Sequence, residues 1–272
     1  MQARIAVAGS EIGVDLSRPV DLAVELDFAG AQPRHFGAPR ASSRAFTSEG
    51  FTGSVAHGAS CNCEIITLIP HCNGTHTECA GHLTRERLDA WRVSPPGLVP
   101  ALLLSVIPEP PRTEGSEPAP QADDRLITQA ALARGWPRQV PFAPQALILR
   151  TLPNTAEKRT RDWSREIPPY LSQEAARFLV ARGILHLVVD LPSIDRTHDE
   201  GRLTAHRIFF GLPRGSAQLA AVARPEATVT ELAYVPDSVR DGACLLELQL
   251  PALAGDAVPS RPLLYSLTPP AA

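Results

Sequence analysis

Apolar residues in this chain fall into short runs separated by Gly, Pro and polar stretches, and the spacing within and between the runs predicts alternating strands and helices. Ala101 to Ile107 (ALLLSVI), Ala146 to Thr151 (ALILRT) and the run ILHLVVDL from Ile184 are brief, rich in Leu, Ile and Val, and bounded by polar residues or proline. That is the pattern of strands buried on both faces. Asn62 to Ile69 (NCEIITLI) reads as a further strand that ends at Pro70 and delivers the residues following it.

Two segments carry helical signals instead. Ser172 to Arg182 (SQEAARFLVAR) has Ser172 as N-cap, Glu174 in the first turn, one apolar face and Gly183 as the stop. Thr128 to Arg134 reads as a shorter helix closed by Gly135, and the proline-rich Pro108 to Ala122 as a surface loop. The first sixty residues suggest short strands, such as Asp21 to Phe28, joined by irregular loops. Strand, helix and strand from Ala146 to Leu191 favour a crossover between parallel strands, so the expected fold class is mixed α/β.

Composition narrows the function classes. With 272 residues, 44% of them hydrophobic, the chain can bury a substantial core. A net charge of −3, with no stretch of clustered Lys/Arg and interleaved aromatics, argues against nucleic acid as a partner. No run approaches the ~18 apolar residues of a membrane span, and MQARIAVAGSEIGVDLS lacks a signal-peptide core, so the expectation is no membrane association and a cytoplasmic location. Four of five cysteines, Cys61, Cys63, Cys72 and Cys79, surround one histidine cluster, which fits reduced thiols better than a disulfide framework. Cys61 and Cys63 read as alternating side chains of a buried strand, and the single lysine, Lys158, as a coding bias with no functional content.

The chemistry is concentrated in PHCNGTHTECAGH, where His71, His76, Glu78 and His82 share twelve residues around Gly74. Imidazoles and a carboxylate so close together mark a metal or catalytic site more often than a solvated polar loop. A second accumulation, Asp190, Ser193, Asp195, His198 and His206, lies just past the strand that starts at Ile184, where α/β folds place their ligands. Asp190 and Asp195 divide evenly between a site role and local turn formation, whereas His198, flanked by charges, reads as a surface residue. Glu231 sits in the apolar run TVTELAYV, where burying an unpaired carboxylate is costly and a metal would remove the cost. His35, His57 and His186 show no partner pattern and read as structural.

These residues resemble the metal-dependent cyclase family that includes bacterial kynurenine formamidase and isatin hydrolase, whose signature is HxGTHxDxPxH. Asp190-Leu-Pro-Ser-Ile-Asp195 is similar to that family's DTPSxD segment and Glu231-Leu to its late ENL motif, so the likeness runs from about Asp15 to Tyr265. The resemblance implies a single compact mixed-sheet α/β domain, of the swivelling β/β/α type, over residues 1–272. It implies His71, His76, Glu78, His206 and Glu231 as metal ligands, with Glu78 bridging, and His82 as the group that moves protons. It further implies one or two divalent ions, zinc or manganese, a small-molecule substrate and a homo-oligomer.

The chain departs from the signature in three places. Cys72 holds the position of the first histidine, so either an extra loop residue lets His71 reach the ion or Cys72 supplies a thiolate, and His71 is preferred. Glu78 replaces aspartate and Ala80 replaces proline, and Gly211 to Glu226 reads as an insertion between His206 and Glu231. The expected reaction is hydrolysis of a non-peptide carbon–nitrogen bond, in an aryl formamide such as N-formylkynurenine or in a cyclic amide, with Ser193 or Thr75 orienting His82. The rival readings are a metal-binding scaffold without turnover and a lyase or dehydratase using the same ion.

Overall fold

A computed structural model describes residues 1–7 and 10–268. Its main sheet contains ten strands of interest here: β1 (Gln2–Val7), β2 (Ser10–Asp15), β3 (His76–Cys79), β4 (Val99–Val106), β5 (Ala146–Thr151), β6 (His186–Val189), β7 (Thr228–Glu231), β8 (Gly242–Gln249), β9 (Ala257–Pro259) and β10 (Arg261–Thr268). Their order across the sheet is β1-β2-β10-β8-β4-β5-β6-β7-β3-β9, and Val20–Asp21 adds a short strand beside β10. The central four, β4 to β7, are mutually parallel, while β3 and β8 flank them antiparallel. The parallel centre is what the run spacing predicts, and the mixed sheet is what the family resemblance implies.

Both faces of the parallel strands are covered, which explains why their sequences are continuous apolar runs without polar alternation. Leu102, Leu104, Leu147, Leu149, Leu187 and Val189 point to the helix-covered side. The alternate residues, including Leu103, Ile148 and Val188, pack with Leu22, Val235 and Val239 on the other. Among the described residues four α-helices complete the fold: α1 (Ala90–Val93), a single turn, then α2 (Gln129–Gly135), α3 (Gln173–Ala181) and α4 (Thr204–Phe210). Thr128 Oγ1 accepts from Ala131 N in α2, and Ser172 Oγ from Ala175 N in α3, each satisfying an otherwise orphaned first-turn donor. Among the described residues no helix is long and apolar enough to cross a membrane.

Three expectations fail in the segment before the histidine cluster. Of Asp21 to Phe28 only Asp21 lies in a strand, Val20–Asp21. The strand within Asn62 to Ile69 is Glu64–Thr67, which among the described residues pairs with Ser42–Ala45 alone, away from the main sheet, and leaves Ile66 55% exposed. Cys61 and Cys63, expected on a buried strand, are exposed, and all five cysteines are free. The cluster is not delivered by that strand; His76 and Glu78 lie on a strand of the main sheet, β3, with His71 before it and His82 after it.

Candidate metal centre

β3 runs antiparallel to β7 with His76 opposite Glu231 and Glu78 opposite Val229. Because side chains alternate along a strand, His76 and Glu78 share one face, and the register puts Glu231 on that same face. Both polar ends thus meet at the C-terminal edge of the parallel strands, where β6 also leads into Asp190 to Asp195. α4 then brings in His206. The remaining ligand candidate, His71, comes from the turn before β3, and Gly74 in that turn takes φ +124°, a backbone conformation that L residues rarely adopt.

The structure brings together all five expected ligands. His71, His76 and Glu78 offer ligand atoms within 4.8 Å of one another, and so do Glu78, His206 and Glu231, so Glu78 belongs to both groups. His206 Nε2 lies 2.6 Å from Glu78 Oε1 and 3.5 Å from Glu231 Oε1, His76 Nε2 3.4 Å from Glu231 Oε2, and His71 Nδ1 3.0 Å from Glu78 Oε2. Cys72 is buried beside the cluster but joins neither group. The extra loop residue therefore lets His71 reach Glu78.

The donor set fits a divalent cation. His76 Nε2, Glu78 Oε1 and His206 Nε2 are buried and make no hydrogen bond, even though two of them are in close contact. Imidazole nitrogens and carboxylate oxygens that converge without a shared hydrogen leave costly orphaned groups unless a cation satisfies them. Charge points the same way. Burial opposes ionisation of Glu78, but His206 and His82 hold its carboxyl well below the usual range. Burial and repulsion from Glu78 oppose ionisation of Glu231, yet His206 and His76 keep it low. Burial also disfavours a charged His71, but Asp256 and Glu78 raise its pKa to about 10. The buried carboxylates thus favour positive charge in the pocket, carried by protonated imidazoles or, once a cation displaces those protons, by the ion.

A further ring of residues fixes these groups. Asp195 Oδ2 lies 2.7 Å from His206 Nδ1, and both its oxygens accept from the first turn of α4, at Ala205 N (2.7 Å) and His206 N (3.0 Å). Asp195 thus serves as the cap that Leu203, the N-cap residue, does not provide. Ile194 N donates to Glu231 Oε1 at 2.8 Å, and His76 Nδ1 lies 3.0 Å from Gly74 O. Arg196 and Tyr170 both bond Asp124, anchoring the 192–199 loop. Neither Asp190 nor Asp195 forms a solvated turn: Asp190 is buried against Lys158 at 2.7 Å and Thr151 N at 2.9 Å. Lys158 is a buried structural cation and carries more than a coding bias.

His82 lines the same cavity, its Nδ1 3.3 Å from Asp256 Oδ2, while Asp256 Oδ2 also lies 2.9 Å from His71 Nε2. Thr75 and Ser193 do not orient His82. Thr75 Oγ1 bonds Val24 N and Leu232 O, and Ser193 Oγ accepts from Asp195 N. Asp256 takes that place. It escapes a sequence reading because it stands alone in a loop, 174 positions from His82, and only the pairing of β9 with β3 carries it there.

The cavity above the cluster encloses about 520 Å³ and is walled by Phe36, Leu203 and Pro192, with the exposed His198 at its rim. Trp163, Phe209 and Phe210 are core residues, and Trp91 lies away from it. All four non-glycine residues with positive φ among those described border this site: Phe36, Glu200 and Leu203 line the cavity, and Leu232 follows Glu231. Strained backbone of this kind persists where surroundings over-determine it, commonly at functional sites.

A family model described as "Cyclase: Putative cyclase" matches residues 14–196, which include β3 and the Asp190 to Asp195 segment. No curated protein matches the chain in sequence. Similar solved structures include a predicted metal-dependent hydrolase from Bacillus stearothermophilus, 18% identical, covering 91% of this chain and 98% of its own, with a TM-score of 0.56. A potential metal-dependent hydrolase with cyclase activity is also 18% identical, with coverages of 93% and 99% and a TM-score of 0.60. Isatin hydrolase A from Labrenzia aggregata, bound to benzyl benzoate, is 16% identical, with coverages of 91% and 93% and a TM-score of 0.57. At these identities the likeness carries the fold, and the match over 14–196 carries the membership: this chain belongs to the Cyclase family.

Proposed function

We propose that the protein is a metal-dependent hydrolase that opens a non-peptide carbon–nitrogen bond in a small molecule, either an aryl formamide or a cyclic amide. The observation that carries this reading is the buried meeting of His76, Glu78, His206 and Glu231 beneath an open cavity, with three of their polar atoms unpartnered. His71, His76, Glu78, His206 and Glu231 would hold one or two zinc or manganese ions. A divalent ion so held supplies Lewis-acid chemistry, polarising a carbonyl and acidifying water near neutral pH.

The chain's own residues supply the rest. Asp195 fixes the ring of His206 through Nδ1, leaving Nε2 toward the carboxylates. With Nδ1 of His82 beside Asp256, Nε2 is the atom left to protonate a departing nitrogen, the step on which amide cleavage otherwise stalls. Phe36, Leu203 and Pro192 offer an apolar wall to a flat ring, and about 520 Å³ suits a small molecule. Names borne by structures of the same fold, a metal-dependent hydrolase and isatin hydrolase, support the reaction class. Exposed Phe46, Val55 and Ile66 on the segment before β3 support assembly as a homo-oligomer, which light scattering after size exclusion would measure.

Elemental analysis of the purified protein, with assays on N-formylkynurenine and a panel of lactams, tests the reading. Metal content together with turnover of one of these is expected. A metal-free protein that stays inert after zinc or manganese is added would overturn it.

A further inference from the structure

α4 has a second cavity on its other side. Arg207 and Ile208, the two residues after His206, combine with Arg177 of α3 and the 211–214 turn to enclose about 390 Å³. Four arginines, Arg177, Arg202, Arg207 and Arg214, line it against one acid, Glu117, in a chain whose net charge is −3. Ile208, Leu212 and Pro213 give it an apolar part.

The four guanidinium groups differ in how they are held. Arg214 Nη1 lies 3.0 Å from Glu117, Arg202 Nη2 3.2 Å from Glu200 and Arg177 Nη1 3.9 Å from Glu174. Arg177 and Arg214 are more than half exposed and Arg202 partly so, and exposed pairs of this kind are weak and readily exchanged for a ligand. Arg207 has no carboxylate within 4.0 Å among the described residues. Its Nε donates to Arg202 O at 3.1 Å, and Nη1 to Pro213 O at 3.3 Å and Ser216 O at 2.8 Å. Main-chain oxygens fix the position of this guanidinium without cancelling its charge, which is the preorganisation an anion site needs.

We propose that this cavity binds a small anion, a phosphate or carboxylate head on an apolar body, with Arg207 as its anchor. The apolar body packs on Ile208 and Leu212, and the head draws Arg177 and Arg214 from their surface acids. The site is separate from the hydrolytic one, and it is tested by binding, whatever the reaction proves to be.

The test is isothermal titration of phenyl phosphate, inorganic phosphate and benzoate into the purified full chain and into Arg207→Gln and Arg177→Gln. Phenyl phosphate should bind one to one, more tightly than inorganic phosphate, and weaken about tenfold in each variant, the effect of losing one charge-assisted contact. Benzoate matching phenyl phosphate in affinity and in its response to the variants would support a carboxylate head. Arg207→Gln also releases three carbonyls and can disturb the turn, so Arg177→Gln, 59% exposed in the native chain, gives an independent reading. An anion held at the centre below α4 would not respond to Arg177→Gln. Affinity unchanged in that variant, or no binding by any of the three probes, overturns the proposal.

Discussion

Asp195 and His206 are joined by a 2.7 Å contact between Oδ2 and Nδ1, with the same carboxylate capping the helix that carries the histidine. One residue therefore sets both the position of α4 and the direction in which His206 presents Nε2. Asp195→Asn keeps one acceptor for the helix, but its amide NH2 replaces the other oxygen and no longer favours a protonated Nδ1. Metal affinity should fall about 10- to 100-fold, the usual cost of removing such an outer partner, with a loss of ~1 kcal/mol in stability from the weakened cap. Competition titrations against a chromogenic chelator measure it. Undiminished affinity would detach Asp195 from the metal centre.

His82 is expected to separate catalysis from metal binding, whereas Asp256 bears on both. His82→Ala should retain the bound metal but lower kcat by about 10²- to 10⁴-fold, the range of a general acid or base. Asp256→Asn should reproduce part of that loss, because the carboxylate holds both His82 Nδ1 and His71 Nε2. Steady-state rates on a turned-over lactam or formamide, paired with elemental analysis of each variant, check both. Full activity in His82→Ala would remove this residue from the mechanism.

Much of this arrangement is legible in the sequence, and what is not has a physical reason. The buried parallel strands and the capped helices α2 and α3 follow from local patterns, since Ser172 and Thr128 act within one turn of themselves. β3 does not. HTEC contains no apolar run because its buried inward face is made of His76 and Glu78, so the residues that mark the site hide the strand that carries it. Glu64–Thr67 misleads in the opposite way, with a strand-like composition placed on the surface. Asp256 and the pairing of Lys158 with Asp190 depend on contacts distant in sequence, which no local spacing encodes.

The Lys158–Asp190 pair should be costly to break. Lys158 Nζ reaches Asp190 Oδ2, Thr151 Oγ1 and Asn154 Oδ1 from a buried position, and Asp190 is fully enclosed. Lys158→Met would leave that carboxylate uncompensated, and a loss of ~3–5 kcal/mol in urea unfolding is expected. Adding Asp190→Leu should recover part of it, because the remaining buried charge is then gone. A single-variant loss below ~1 kcal/mol would show that the pair is well hydrated.

Stability should also fall on mild acidification. Burial, assisted by Arg224, pushes the pKa of His186 down to about 4, while in the unfolded chain it titrates near 6.5. Between those values the unfolded state binds the extra proton, so this contribution is complete above about pH 6.5 and is lost as pH falls toward 4, to a total of ~3 kcal/mol. His186→Asn keeps a polar partner for Thr228 Oγ1, 2.9 Å away in the native chain, but does not titrate. Urea midpoints measured from pH 7 to 4.5 should therefore decline less steeply in the variant. Parallel curves would refute the assignment.

Cation binding should itself stabilise the fold, because the carboxylates of Glu78 and Glu231 are buried together and repel each other. An ion present at about a hundred times its Kd contributes ~2.7 kcal/mol to the native state, and for a chain of this size that is a rise in Tm of about 5 °C. Calorimetric melts of chelator-treated protein, before and after zinc or manganese is added, measure the increment. Glu231→Gln removes one ligand charge and relieves the repulsion at the same time, so the treated variant should melt as high as treated wild type or higher, while most of the metal-induced rise disappears. An increment of equal size in both proteins would place the cation away from Glu231, and with it away from the junction of β3 and β7.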